Sequence, residues 1–421
     1  MAFGFLLLAL LAVLLAGVPI AYAIGGLAMV GNQWFGATSF ARLAETQFSS
    51  INSFVVMAIP FFILAGNIML KGQMARSLFD FMSALTRWMT GGVAIGATGA
   101  CALFGSLTGS SAAAAAALSP VVIPELTRLG YPRPFACGLM AAGGTLGIMI
   151  PPSVVFVVYG ALTSTSVADL FLAGVIPGLF LAGLLALCCY VQARRHGYGT
   201  PQPFVVQEVW RTFKAAIPSL LMPVIVLGGI YSGLFTPTEA AAISVVYAVL
   251  ATRFLYRTLA FSDLPGIFVE SARSAAVVLI ILAASLGIGL LASFLGVAED
   301  LATWLQGLNL SAWQFLLAVN LLLLVLGCFF DGFTLLVLLT PLLLPSIKAL
   351  DINLVHFCII LTANIEIASI TPPVGFNLFV ISSTTRVRIA EVARGVVPFV
   401  LAMLIGLFIL TYVPGLSLAL L

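Results

Sequence analysis

Long apolar stretches alternate with short polar connectors along this chain, a pattern that predicts membrane helices. Stretches bounded by charge, glycine or proline fall at about 2–16, 18–36, 51–70, 135–162, 170–192, 216–233, 237–257, 274–295, 355–383 and 395–413. A helix needs ~20 apolar residues to cross a bilayer, so about ten spans are expected. Two further stretches, 92–126 and 311–347, are too long for one span. Gly105 to Ser111 interrupts the first and Asp331-Gly332 the second. Both read as re-entrant hairpins, because irregular polar backbone at membrane depth is tolerated only where it lines a cavity or is buried in protein. The expected fold class is an all-α membrane protein. Its N-terminal run lacks a positive leader and a small-residue cleavage site, so it reads as a retained first span.

Composition sharpens this picture. Of 421 residues, 62% are hydrophobic and 7% charged, where a soluble domain carries about 25% charged. With the N-terminus outside, 15 of the 17 basic residues fall on the cytoplasmic side, and only Arg42 and Lys348 fall outside. The positive-inside rule therefore selects both termini periplasmic. The six cysteines lie in apolar runs without metal-ligand spacing, and the two histidines, His196 and His356, are far apart. No zinc, haem or other cofactor is expected.

One constant offset aligns the chain with itself. Pro120 falls on Pro341, Pro124 on Pro345, Cys137 on Cys358, Pro151-Pro152 on Pro372-Pro373, and Pro177 on Pro398. The turn at Ser110-Ser111 falls on Asp331-Gly332. The first repeat is read as 1–192, with scaffold spans 1–70, an interfacial arm 71–90, the hairpin 92–126, a broken helix 135–162 and a closing span 170–192. A polar cytoplasmic linker, 193–215, follows. The second repeat is 216–421, with scaffold spans 216–295, arm 296–310, hairpin 311–347, broken helix 355–383 and closing span 395–413. An odd number of spans per repeat makes the repeats inverted. Inverted repeats with interrupted helices are the architecture of secondary transporters, whose sites lie at the midplane between repeats. The plainer alternative is a duplicated anchor, which needs neither hairpins nor matched breaks.

The chemistry-bearing residues gather at these interruptions. The first tip carries Ser106, Thr108, Gly109, Ser110 and Ser111. Helix ends there present free N–H and C=O groups, and hydroxyls add uncharged oxygen ligands of the kind a hard cation prefers. Small residues that merely allow close packing are the plainer reading. In the first broken helix Pro151 and Pro152 lack N–H donors, so the carbonyls of Gly147 and Ile148 are expected to lose their helical partners. The second tip carries Asp331, Gly332 and Thr334, and the second break Ser369, Thr371, Pro372, Gly375 and Asn377. Asp331 and Glu366 are the two deepest acids in this layout. An intramembrane carboxylate is a functional candidate by default; the alternative is a partner for a helix end or an arginine. Thr236-Pro237-Thr238-Glu239 reads as a helix start. No phosphate-binding loop, nucleophile elbow or metal-binding helix is present, so direct ATP drive is not expected.

Several segments also look alike to a known family. These are Ala58 to Gly66, the Gly105–Ala112 tip, Gly143 to Ser153, Gly233 to Ala240, and Ile370 to Gly375. Together they make the chain resemble the large membrane subunit of tripartite ATP-independent periplasmic (TRAP) transporters over nearly its whole length. The resemblance implies an elevator mechanism, a sodium gradient as the drive, and a small organic acid as cargo, such as a C4-dicarboxylate, sialic acid or another sugar or keto acid. It implies a periplasmic substrate-binding protein and a small four-span membrane subunit as partners. The first apolar run begins at residue 2, so that subunit is expected as a separate chain. Combined with the tips and breaks, the resemblance implies one sodium near Ser106, Thr108, Gly109, Ser110, Gly144, Thr145, Gly147 and Pro151. It implies another near Asp331, Gly332, Thr334, Ser369, Thr371, Pro372 and Gly375. Substrate is expected between the tips, near Ser111, Ser153, Asp331 and Asn377. A stand-alone sodium- or proton-coupled carboxylate symporter, and an intramembrane enzyme using Asp331 with Glu366, are the competing readings.

Overall fold

The computed structural model describes residues 9, 12, 13, 16–18, 20–296, 311–328, 330, 332–372 and 375–421. All regular structure among them is helical. Among the described residues six helices are long and apolar enough to cross a membrane: Val167–His196, Val206–Tyr231, Pro237–Leu255, Phe261–Leu291, Gly332–Ala349 and Ile389–Tyr412. Two bent pairs raise this to eight if each counts as one span: Ala58–Lys71 with Met74–Thr86, bent by 70°, and Arg133–Met149 with Val154–Thr163, bent by 42°. The sequence pattern suggested about ten. Three of the ten are not among the eight: most of the 2–16 stretch lies outside the described residues, the 18–36 stretch forms Ile20–Phe35, a helix of only 16 residues, and the 355–383 stretch is divided into Leu354–Ala368 and Phe376–Thr385. Gly332–Ala349, counted among the eight, belongs to the expected hairpin 311–347.

Local signals explain the helix starts. Thr236 and Glu239 form a reciprocal cap at Pro237: the Thr236 backbone N–H donates to Glu239 Oε2 at 2.8 Å, and the Glu239 N–H donates to Thr236 Oγ1 at 3.3 Å. That arrangement satisfies two donors that a helix start otherwise leaves free. Ser311 and Gln314 open the Ala312–Gly327 helix in the same way.

Helix starts recur along the chain. Gly92 pairs with Ala312, Ser111 with Gly332, Arg133 with Leu354, Val154 with Phe376, and Val167 with Ile389. Each pair keeps the offset that carries Pro120 onto Pro341, almost to the residue. The helices that follow the first bent pair are thus laid out twice.

The two helices before the breaks form the interior. In Arg133–Met149 every residue from Phe135 to Met149 is buried, and in Leu354–Ala368 every residue from Val355 to Ala368. A helix apolar and covered on all sides is a core helix. They pack against each other. By contrast, five of the six long helices are only 33–44% buried, the share expected of elements that face lipid on one side; Gly332–Ala349, at 67%, is enclosed.

The segment 71–90 contains the helix Met74–Thr86, which turns sharply from Ala58–Lys71. Its far end is clamped by Arg87, whose guanidinium donates to Glu208 with two bonds, one of 2.7 Å. Its near end carries Ser77, 3.2 Å from Ser219 Oγ and 3.1 Å from the Tyr256 hydroxyl. Of the second arm, residues 297–310 lie outside the described residues.

A buried polar chain runs through the second half. Asn364 Nδ2 donates to Asn320 Oδ1 at 2.7 Å, and Asn320 Nδ2 to Thr411 Oγ1 at 2.9 Å. His356 Nε2 lies 3.2 Å from the Thr411 carbonyl, and its Nδ1 3.1 Å from Ser417 Oγ. The chain stitches Ala312–Gly327, Leu354–Ala368, Ile389–Tyr412 and the C-terminal turn together.

Candidate functional site

The first tip joins the helices Gly92–Thr108 and Ser111–Arg128 through two residues. Gly109 sits at φ 59°, in the left-handed region that glycine enters freely. Ser110 is extended and caps the second helix, its Oγ accepting from the Ala113 N–H at 3.4 Å. Ser106 donates to the Leu103 carbonyl at 2.7 Å, and Thr108 to the Gly105 carbonyl at 3.3 Å. These hydroxyls spend their proton locally and keep acceptor lone pairs.

The tip lies directly on the first broken helix. A Cβ added to Gly105 would stand 2.5 Å from Gly147 Cα, and one added to Gly144 would stand 2.9 Å from the Ser111 carbonyl. The two backbones therefore touch without side chains between them. Thr145 is fully buried, donating to the Ala142 carbonyl at 2.7 Å.

The helix breaks between Met149 and Val154, across the cis Pro151-Pro152 peptide. Ser153, expected near the substrate, has a structural partner here. It is fully buried, and its Oγ donates to the Ile148 carbonyl at 2.6 Å. Pro152 cannot supply a donor to that carbonyl, so the serine replaces the missing N–H.

On the other side, Asp331 lies outside the described residues, as does Pro373. Gly332 opens its helix so close to Ile365 that a Cβ would stand 2.1 Å from Ile365 Cγ2. Thr334 is buried in the same helix. Ser369 donates to the Ile365 carbonyl at 2.8 Å, and Thr371 to the Ile367 carbonyl at 2.7 Å. After the break, Gly375 stands at φ 46°. Asn377 then ties three elements together. Its N–H donates to the Ser369 carbonyl at 2.9 Å, its Nδ2 to the Ala141 carbonyl at 3.1 Å, and its Oδ1 accepts from Ser111 Oγ at 3.3 Å. Asn377 is fully buried, so it bridges the halves from within.

Between the tips and the breaks is a cavity of ≈ 230 Å³, lined by Ser110, Ser111, Ala112, Ile148, Val155, Gly332, Phe333, Ile365, Ser369 and Phe376. A second cavity of ≈ 170 Å³ shares Ser110 and Phe333 with it and is also walled by Thr108, Gly109, Asn67 and Ser274. Of the residues singled out by sequence, Thr108, Gly109, Ser110, Ser111, Gly332 and Ser369 line these spaces. Ser106, Gly144, Thr145, Gly147, Pro151, Ser153, Thr334, Thr371, Pro372, Gly375, Asn377 and Glu366 do not line either one. Phe333, Phe376, Ile365, Asn67 and Ser274 were missed. An apolar wall residue inside an apolar run has no sequence signal, although Phe333 does follow the tip glycine directly. No basic side chain lines either space among the described residues.

This geometry has relatives. Residues 7–416 match the family model for the tripartite ATP-independent periplasmic transporter, DctM component. The chain belongs to the DctM family of TRAP transporter permeases. It is 38% identical to the C4-dicarboxylate TRAP transporter large permease protein DctM of Rhodobacter capsulatus, covering 98% of this chain and 97% of that one. It is 40% identical to the protein of the same name from Pseudomonas aeruginosa, covering 92% and 90%. The sialic acid TRAP transporter large permease protein SiaM of Vibrio cholerae is 34% identical, covering 97% and 96%. Among solved structures, the YdaH transporter of Alcanivorax borkumensis has a similar fold, with a TM-score of 0.62 at 16% identity over 89% of this chain and 88% of that one. As a DctM-family member the chain is a multi-pass membrane transporter subunit and not an enzyme.

Proposed function

We propose that this chain imports a small organic acid across the bacterial inner membrane, driven by a sodium gradient, with the acid delivered by a periplasmic binding protein. The observation that carries this reading is the cavity between the two tips, where Ser110, Ser111 and Ser369 interrupt a mostly apolar lining and no basic side chain enters among the described residues. An anion there has no arginine to meet. Its charge is matched by N–H groups, hydroxyls and co-bound cations instead. Sodium, a hard cation, suits the hydroxyl and carbonyl oxygens at both breaks. Each cavity is smaller than the roughly 300–1,000 Å³ of a drug-sized ligand site, which favours a compact acid. The relatives named for C4-dicarboxylates, 2,3-diketo-L-gulonate and sialic acid supply the substrate class.

In this reading the hairpins and broken helices of two inverted repeats form a body that slides against scaffold spans, with both termini periplasmic. A small four-span subunit accompanies it. The chain covers 64% of the isethionate permease DctMQ, a length difference that leaves room for such a subunit fused in one protein. The test is uptake into proteoliposomes holding this chain and its small partner, with the binding protein and labelled C4-dicarboxylates and sugar acids outside. Uptake that requires both an inward sodium gradient and the binding protein is expected. Sodium-driven uptake indifferent to the binding protein would leave a stand-alone symporter, and no uptake of any acid under any gradient would sink the transport reading.

A further inference from the structure

Glu366 lies one turn before the second break, on the core helix Leu354–Ala368, and is 0% exposed. Neither carboxyl oxygen has a hydrogen-bond partner among the described residues. The backbone N–H of Met149, the last residue of Arg133–Met149, is directed at this carboxyl without reaching full hydrogen-bond geometry. The acid of the second half is therefore set at the break of the first.

Among the described residues no positive side chain pairs with this carboxylate. The ion pairs among the described residues join Lys71 to Glu270, Arg87 to Glu208 and Arg128 to Glu125. The positions outside the described residues contain no lysine, arginine or histidine. An unpaired ion in a dry interior is strongly disfavoured, so a negative charge kept here needs a cation from solution.

The surroundings suit one. Pro151 and Pro152 withhold two N–H donors from the end of the Arg133–Met149 helix. Helix C-termini carry partial negative charge, which favours cations. Ser153 covers the Ile148 carbonyl, and the proline at 151 leaves the Gly147 carbonyl without its helical N–H partner. The repeat frame adds a second pointer. The offset that carries Pro120 onto Pro341 carries Thr145 onto Glu366. Thr145 is neutral and hydrogen-bonded, while Glu366 is acidic and has no side-chain partner among the described residues. The two core helices pack against each other, so this one position differs in charge across the seam.

We propose that Glu366 supplies the negative charge of a monovalent-cation site at the first break, reaching across from the second half. This rests on the sodium-coupled reading above and deepens it: the first site, whose other candidate ligands are neutral, takes its counter-charge from the opposite repeat. Glu366 is thereby a ligand or a neighbouring counter-charge for sodium and not a contact for the organic acid.

The experiment is thermal unfolding of the full chain in nanodiscs, titrated with sodium chloride against choline chloride at constant ionic strength. Sodium is expected to raise the unfolding midpoint of the unaltered protein. Glu366→Gln keeps the shape and removes the charge, and is expected to raise the half-saturating sodium concentration by about 10–100-fold. Glu366→Asp keeps the charge but withdraws it, and is expected to fall between the two. A Glu366→Gln protein with unaltered half-saturation would overturn the proposal and leave a buried neutral acid. If that variant fails to fold, an unaltered sodium response in Glu366→Asp overturns it equally. An unaltered protein that ignores sodium altogether would remove the sodium-coupled reading as well.

Discussion

The two halves use one backbone plan with two kinds of interior. In the first, the tip and the break meet at Gly105 and Gly147, glycine against glycine. The corresponding positions of the second half are Leu326 and Ala368; there the next residue, Gly327, makes the close approach, and a Cβ on it would stand 2.4 Å from Ala368 Cβ. To that contact the second half adds buried side-chain hydrogen bonds. Asn320 and Asn364 stand where the first half has Gly99 and Gly143, and they bond each other and Thr411. His356 stands where the first half has Phe135, which packs on Tyr131, Tyr198 and Phe399. A seam closed glycine on glycine thus faces one that adds a polar network. Repeated topology fixes where helices start and break, while the residue at each repeated position decides whether shape or hydrogen bonding holds them.

The largest test of this contrast is to give the first half the second half's residue. Gly105→Leu drives a side chain into the Gly147 backbone. Backbone cannot move aside as a side chain can, so the cost is expected at the top of the roughly 1–3 kcal/mol range for overpacking or beyond it. Uptake in proteoliposomes is expected to fall by more than about tenfold. Retained uptake would mean that the two backbones need not touch during the cycle.

A smaller effect is expected from the polar seam. Asn364→Leu removes the donor to Asn320 and leaves the Asn320 oxygen without its partner. Interhelical hydrogen bonds in membranes contribute about 0.6–2 kcal/mol, so the unfolding midpoint is expected to drop by a few degrees with uptake kinetics largely preserved. A neutral result would make the network an ornament of the second half and erase the contrast. The mildest change is Ser111→Ala, which cuts the 3.3 Å bond to Asn377 between the halves. A loss of about 0.5–1 kcal/mol in stability is expected, with Asn377 still held by Ala141 and Ser369. A larger loss than that of Asn364→Leu would place the main tie between the halves at the tip.

Much of the fold was legible from residue order. Apolar length gives the helical class, and proline pairs with glycine runs mark the interruptions. The amphipathic helix Phe40–Ile51 was missed, because Arg42, Glu45, Thr46 and Gln47 hide it from a search for apolar stretches. The site was legible only in part. Tip residues such as Ser110 and Ser111 could be named from their glycine and hydroxyl content. Ser153 could not be read as a helix-mending residue, since that depends on where its hydroxyl points. Glu366 looked like part of the second break by sequence distance. Its contact with Met149 belongs to the packing of two helices from opposite halves of the chain, which no local pattern encodes.

The enclosure of Gly332–Ala349 has a consequence for the protein's relation to its bilayer. The outer long helices meet lipid over much of their surface, while this one is mostly wrapped by protein. Stretching or thinning the hydrocarbon layer loads helices through their lipid-facing sides, at fractions of a kcal/mol per ångström of mismatch. That load falls on the outer shell first. The helix that carries the second tip is insulated from it, so membranes of different thickness would tilt the frame while the tip keeps its footing among its protein neighbours.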